Sequence, residues 1–179
     1  MKPRTFTAAA ALLVAFTATA CDATPAPDPR PSGERCPAAG FTTPYEHIDP
    51  CSADAVLQAA VTAIFDYRPA EDTDPRAAFT RARPLLQDRF ATQAAPAAAA
   101  WAPITTNQRQ RWRDHQTPIT TTVIVTGDDH PTDTAATADR VLAVHIQPAH
   151  EPAVVFTVYA SATRIPGGPW LLSELGARS

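Results

Sequence analysis

Short apolar runs separated by turn residues occupy the last third of the chain and predict four β-strands. The runs are rich in β-branched and aromatic residues, and Pro, Gly or Asp stands in each gap, which is typical of an antiparallel meander. The predicted strands cover residues 118–126, 138–147, 153–164 and 169–175. Because apolar residues occur on both faces of these strands, we expect a sheet that curls around helices and is partly covered on its outer side.

The residues before the strands predict helices, and the first helix has the clearest pattern. Ser52 is a favourable N-cap, and Asp54 places an acid in the first turn. Apolar residues then recur at spacings of one, three and four as far as Tyr67, which predicts an amphipathic helix. Shorter helices are predicted after the N-cap Asp74 through Arg81 and from Pro84 through Phe90, and residues 107–115 are either a short helix or a turn over the sheet edge. The fold class is therefore α+β, with N-terminal helices packed in a curled antiparallel four-stranded sheet.

The first residues of the chain have the pattern of an export signal. Lys2 and Arg4 precede an apolar run that is too short to span a bilayer, and small residues follow it. Since Cys21 comes next, the segment resembles a bacterial lipoprotein signal in which this cysteine becomes the lipidated (palmitate-bearing) first residue and anchors the chain to the membrane. Ordinary signal-peptidase cleavage after residue 20 is the alternative. The expected location is the outer face of the cell membrane, or the medium if the protein is only cleaved and secreted.

The chain divides into three parts by composition. A signal peptide is predicted over residues 1–20, and a Pro-rich tether over residues 21–50, which has too little apolar bulk to offset the entropy of ordering it. Residues 51–179 have the length of one ordinary domain. With Cys21 lipidated, Cys36 and Cys51 remain as a pair in an exported protein, so we predict a disulfide between them. A zinc site that adds His47 to this pair lacks further ligands at zinc spacing.

Charge and motif content exclude several classes of function. The net charge is −3 and no basic run occurs, so direct nucleic-acid binding is not expected. The sequence has no phosphate-binding loop, dinucleotide glycine pattern or nucleophile elbow, and we expect no cofactor. The loop that carries Asp128, Asp129, His130 and Asp133 lacks EF-hand spacing and is predicted to be solvated rather than to bind a metal.

Three side chains are candidates to line a cavity. Asp66 stands at the end of the first helix, where a buried carboxylate would suit proton transfer; pairing with Arg68 or Arg76 in solvent is the alternative. His145 lies in the middle of the second strand and would face such a cavity beside Tyr159, or be an ordinary exposed or hydrogen-bonded strand residue.

The polar segment before the sheet invites a catalytic interpretation as well. Asp114 and His115 are adjacent, and adjacent residues of a helix point about 100° apart, so their side chains do not readily bond to each other. We predict instead that Trp112 covers the core and that Asp114 pairs with an arginine.

Five short motifs mark the predicted domain. They are Ile64-Phe65-Asp66-Tyr67, Asp72-Thr73-Asp74-Pro75-Arg76-Ala77-Ala78, Arg81-Ala82-Arg83-Pro84-Leu85-Leu86, Trp112-Arg113-Asp114-His115 and Gly167-Gly168-Pro169-Trp170. With the order of the predicted elements, they resemble the nuclear-transport-factor-2-like cone over residues 52–175. More narrowly, they resemble small exported or membrane-anchored actinobacterial proteins associated with conjugative elements.

The resemblance implies a function that the residues alone do not. The wider family includes extracytoplasmic scaffold domains of type IV secretion systems, proteins that accompany mammalian-cell-entry transporters, and also isomerases and dehydratases. It implies a non-enzymatic lipoprotein that binds envelope or transfer-apparatus proteins as an accessory of conjugal transfer or related secretion. The alternative is a small-ligand binder or isomerase-like enzyme that uses the cavity of the cone, with Asp66, His145 and Tyr159 as lining groups.

Overall fold

A four-stranded antiparallel sheet forms the C-terminal part of the fold in the computed structural model, which describes residues 37–178. Neighbours in the chain are neighbours in the sheet, so the predicted meander is confirmed. The strands are β1 (Ile119–Val125), β2 (Thr137–Pro148), β3 (Val154–Thr163) and β4 (Leu171–Arg178). The order β1-β2-β3-β4 leaves the sheet open in this part of the chain, and with the helices it makes an α+β fold.

Four α-helices precede the sheet in the described residues. They are α1 (Ala53–Phe65), α2 (Ala77–Ala82), α3 (Asp88–Ala94) and α4 (Thr106–Asp114), with 3₁₀ segments at Arg83–Leu85 and Ala95–Ala100. The predicted N-cap of α1 is confirmed, because the Ser52 hydroxyl accepts the Ala55 N–H at 3.2 Å. None of these helices is both long enough and apolar enough to cross a bilayer.

Two helix boundaries differ from the prediction for local reasons. The Asp74 carboxylate accepts the Arg76 N–H at 2.8 Å, which makes a turn and delays the start of α2. The helix predicted to begin at Pro84 is interrupted because Leu86 adopts an extended conformation and bridges Leu172 of β4. The Gln87 N–H then donates to the Leu172 carbonyl at 2.8 Å, and α3 begins only after this contact.

The hydrophobic core lies between α1 and one face of the sheet, which we call the inner face. The apolar stripe of α1 is buried there, and Phe65 packs edge-on against Phe156 of β3 with ring centroids 5.1 Å apart. Fully buried side chains of this size contribute about 1.5–3 kcal/mol each. The inner-face residues that meet the stripe are Val123, Leu142, Val144, Ile146, Val158, Ala160 and Leu172.

Part of the predicted tether is described and contacts this core. Phe41, Tyr45 and Ile48 pack against it, and the Trp170 N–H donates to the Pro50 carbonyl at 2.9 Å. Residues 1–36 lie outside the described residues. Lipidation of Cys21 and the pairing of Cys36 with Cys51 therefore stay predictions.

Arg140 of β2 joins three segments at one end of the core. Its side chain is only 10% exposed and its Nε donates to Asp54 in the first turn of α1 at 2.6 Å. Its two Nη atoms each donate to Asp133 of the β1–β2 loop at 2.7 Å. The hydrogen bond from Arg140 lowers the pKa of Asp133. The acidic loop is thus tied to the helix and the sheet through one guanidinium.

Candidate functional site

Asp66 lies directly after α1, on the helical side of the sheet. Its carboxylate accepts from Arg68 Nε at 2.8 Å and lies 4.0 Å from Arg81 Nη2. The structure therefore places Asp66 in an ion pair with Arg68 at the helix end, which was the alternative to a buried proton-transfer group. Arg76, the other arginine considered as its partner, binds Asp74 instead, at 2.9 Å.

His145 and Tyr159 lie on the opposite side of the sheet from α1, which we call the outer face. The register pairs Val144 with Phe156 on the inner face, so the adjacent pair of His145 and Val155 points outward. Tyr159 pairs with Val141 and points outward as well. Since Asp66 is on the helical side, the three predicted cavity residues do not converge.

The space that a cone enzyme would use for its substrate is filled with side chains. Val56, Leu57 and Val61 of α1 are fully buried, and so are Leu142, Val144 and Val158 of the sheet. Buried residues of both layers belong to one continuous cluster. The apolar residues of α1 therefore pack on the inner face as a hydrophobic core.

The outer face instead carries an exposed apolar patch. Ile124, Val155 and Tyr159 are 52%, 56% and 45% exposed, and we call these three residues the outer patch. On the outer face, three cross-strand pairs follow one another along the strands: His145–Val155, Ile124–Ala143 and Val141–Tyr159. Each of these pairs contributes one residue to the outer patch. The patch therefore extends from β1 to β3, with Ala143 of β2 and Thr157 of β3 between its members.

A shallow groove of about 790 Å³ runs over this face. Val155 and Tyr159 line it, and so do Asp128 and Asp129 of the β1–β2 loop and Pro103, which precedes α4. Asp128 accepts a hydrogen bond from the Thr126 hydroxyl at 2.6 Å. In residues 37–178, no group of three or more His, Cys, Asp or Glu side chains is placed to hold a metal ion.

Sequence reasoning recognised the Asp72 and Arg81 motifs but missed that the two residues bind each other. Asp72 is almost completely buried, and its oxygens accept from Arg81 Nη1 and Nη2 at 2.5 and 3.0 Å. Arg81 also donates to the Asp66 carbonyl, and Asp72 accepts the Arg68 N–H at 2.8 Å. This network fixes the connection from α1 to α2, so these charges are used in the fold.

The predicted role of Trp112 is confirmed, and the one predicted for Asp114 is wrong. Trp112 is fully buried and donates to the Glu151 carboxylate at 3.0 Å. Asp114 accepts from the Gln110 side-chain amide at 2.7 Å, and no arginine in residues 37–178 makes an ion pair with it. One helical turn brings Gln110 beside Asp114, and that short-range contact satisfies the carboxylate.

No protein-family model, curated protein or solved structure matches this chain. Its function therefore has to be argued from its own residues.

Proposed function

We propose that this chain is an exported, non-enzymatic lipoprotein, anchored through Cys21, whose domain binds a protein partner on the outer face of its sheet. The observation that carries the proposal is the outer patch of Ile124, Val155 and Tyr159. Exposed apolar residues grouped on one face of a sheet are typical of an interaction site, whereas single exposed apolar residues need no explanation.

The groove indicates the chemistry of the partner. Apolar side chains on the partner would gain about 25 cal/mol for each Å² of apolar surface removed from water against the outer patch. Asp128 and Asp129, which line the groove, favour a basic side chain beside that apolar segment. The opposite charges would steer association and fix the orientation of the partner. We therefore expect a protein segment that combines apolar residues with lysine or arginine.

Location and pathway rest on the sequence. The signal pattern ending at Cys21 supports a location outside the cytoplasm, and the resemblance to actinobacterial conjugation-associated proteins supports envelope or transfer-apparatus proteins as partners. A bulge between Ser161 and Ala162 of β3 shifts the register with β4. Bulges bend the strand that carries them, which is consistent with the curled sheet of a nuclear-transport-factor-2-like cone.

The alternative enzymatic function is not favoured. It needs an open interior with Asp66, His145 and Tyr159 around it. The interior is packed, and these residues lie on different sides of the sheet.

The experiment is chemical cross-linking in intact cells of the native host, followed by mass spectrometry of the captured proteins. Val155→Asp should abolish capture of envelope or transfer proteins because it places a charge within the apolar contact. Ile165→Asp is the matched control, since Ile165 is 75% exposed but lies outside the outer patch. Capture that is the same for Val155→Asp and the wild type would contradict the proposal.

A further inference from the structure

A second cleft lies along α4 and shares one lining residue, Pro103, with the groove of the outer face. It has a volume of about 820 Å³ and is formed along α4, between the Ala95–Ala100 segment and the connection before α2. One wall is largely apolar and consists of Ala99, Ala100, Ala102, Pro103 and Ile104. Facing it, α4 presents a polar wall of Thr105, Thr106, Arg109, Gln110 and Arg113.

The two arginines of this wall lie one helical turn apart and project from the same side of α4. Arg109 donates to the Ala99 carbonyl at 2.8 Å, and its guanidinium lies 6.0 Å from the centre of the Tyr67 ring. The Nε of Arg113 is buried and has no hydrogen-bond acceptor. Within residues 37–178, no carboxylate forms an ion pair with either side chain.

This arrangement leaves positive charge without compensation. Burial lowers the pKa of Arg109, an effect that the nearby Tyr67 opposes, yet a guanidinium stays protonated near neutral pH. A buried donor such as Arg113 Nε costs free energy unless an acceptor reaches it. Other arginines of the domain, such as Arg81 and Arg140, bind carboxylates. The cleft pair differs because neither arginine has a carboxylate partner among the described residues, and Arg113 Nε has no acceptor there.

We propose that the cleft binds an organic oxyanion, a phosphate or carboxylate group carried on a short apolar body. Guanidinium groups present a planar fork of donors that matches the oxygens of such groups. The first turn of α4, which begins after the N-cap Thr105, adds partial positive charge at the same wall. The alanine and proline wall suits the apolar part of the ligand.

Such an oxyanion has two natural sources, a free metabolite or a lipid head group. Isothermal titration of the purified full chain distinguishes them. The probes are hexyl phosphate and monomeric dihexanoyl phosphatidylglycerol, and hexanol tests whether the apolar body alone suffices. We expect both anions to bind and hexanol not to bind. Tighter binding of hexyl phosphate indicates the free metabolite, and tighter binding of the diacyl probe indicates the lipid.

Variants assign the binding to the cleft. Arg113→Gln and Arg109→Gln should each weaken binding of hexyl phosphate by about 10- to 100-fold, the usual effect of losing a charged hydrogen bond. Arg113→Lys keeps the charge without the fork and should lose less than Arg113→Gln. Arg111→Gln is the matched control, because Arg111 is exposed on the same helix and does not line the cleft. Its affinity should equal that of the wild type.

A direct signal comes from the wild-type protein and does not depend on any variant folding. Hexyl phosphate should shift the guanidinium nuclear magnetic resonance signals of Arg109 and Arg113, and its affinity should fall as the salt concentration rises. The proposal is overturned if hexyl phosphate does not bind or if both sets of guanidinium signals stay in place. Equal weakening by Arg111→Gln and Arg113→Gln would overturn it as well.

Discussion

At the residue scale, the Arg140–Asp133 pair makes stability depend on pH. The hydrogen bond from Arg140 lowers the pKa of Asp133 in the folded protein. In the unfolded chain this bond is absent, and the carboxyl has its ordinary pKa. The ionised carboxylate therefore stabilises the fold fully above a pH of about 4, and this contribution is lost as the pH falls through the folded-state pKa.

We expect Asp133→Asn to lower the free energy of unfolding at pH 7 by about 0.5–1 kcal/mol, since Asp133 is partly exposed and water screens the pair. The difference from the wild type should shrink as the pH is lowered from 5 to about 2, because the wild-type carboxyl becomes neutral. Urea unfolding across this range measures it, with Asp129→Asn of the same loop as the control. A difference that stays constant with pH would rule out this origin.

At the scale of elements, the pair of Asp72 and Arg81 holds the end of α1 against α2. Asp72→Asn removes the charge from a buried carboxylate and leaves the Arg81 guanidinium without its counter-ion. Because breaking a buried pair leaves an uncompensated charge, we expect a loss of about 2–3 kcal/mol in the free energy of unfolding. Asp66→Asn, which affects the more exposed pair with Arg68, should cost about 0.5 kcal/mol. Equal effects in urea unfolding would show that the buried network has no special role.

The strands were predictable from the sequence because alternation and turn chemistry are local. The starts of α2 and α3 were harder to predict from the sequence. The start of α3, for example, depends on the pairing of Leu86 with Leu172, which is a contact between distant parts of the chain. Alternation also shows which residues share a face of a strand, but it does not show which face meets the helices when both faces carry apolar residues. His145 and Tyr159 were therefore considered for a cavity, whereas the register places them on the outer face.

At the scale of the whole molecule, the fold carries two surfaces with different chemistry. The outer patch is apolar and two acids line the same groove, whereas the α4 cleft carries two arginines. Within residues 37–178, Pro103 is the one residue that lines both, and neither Val155 nor the two arginines are shared. A charge change at Val155 should therefore leave the cleft arginines unaffected. Val155→Asp is accordingly expected to retain hexyl phosphate binding, so failure of one proposal leaves the other standing.

The proposed location depends on the beginning of the chain and has its own test. We expect the protein made in its native host to incorporate labelled palmitate and to sediment with membranes, because lipidated Cys21 would hold it there. Cys21→Ser should lose the label and leave the membrane fraction, whereas Cys36→Ser, the matched control, should keep both properties. Wild-type protein that is unlabelled and found in the medium would mean ordinary signal-peptidase cleavage. Cys21→Ser that stays with membranes would mean that another part of the chain anchors it.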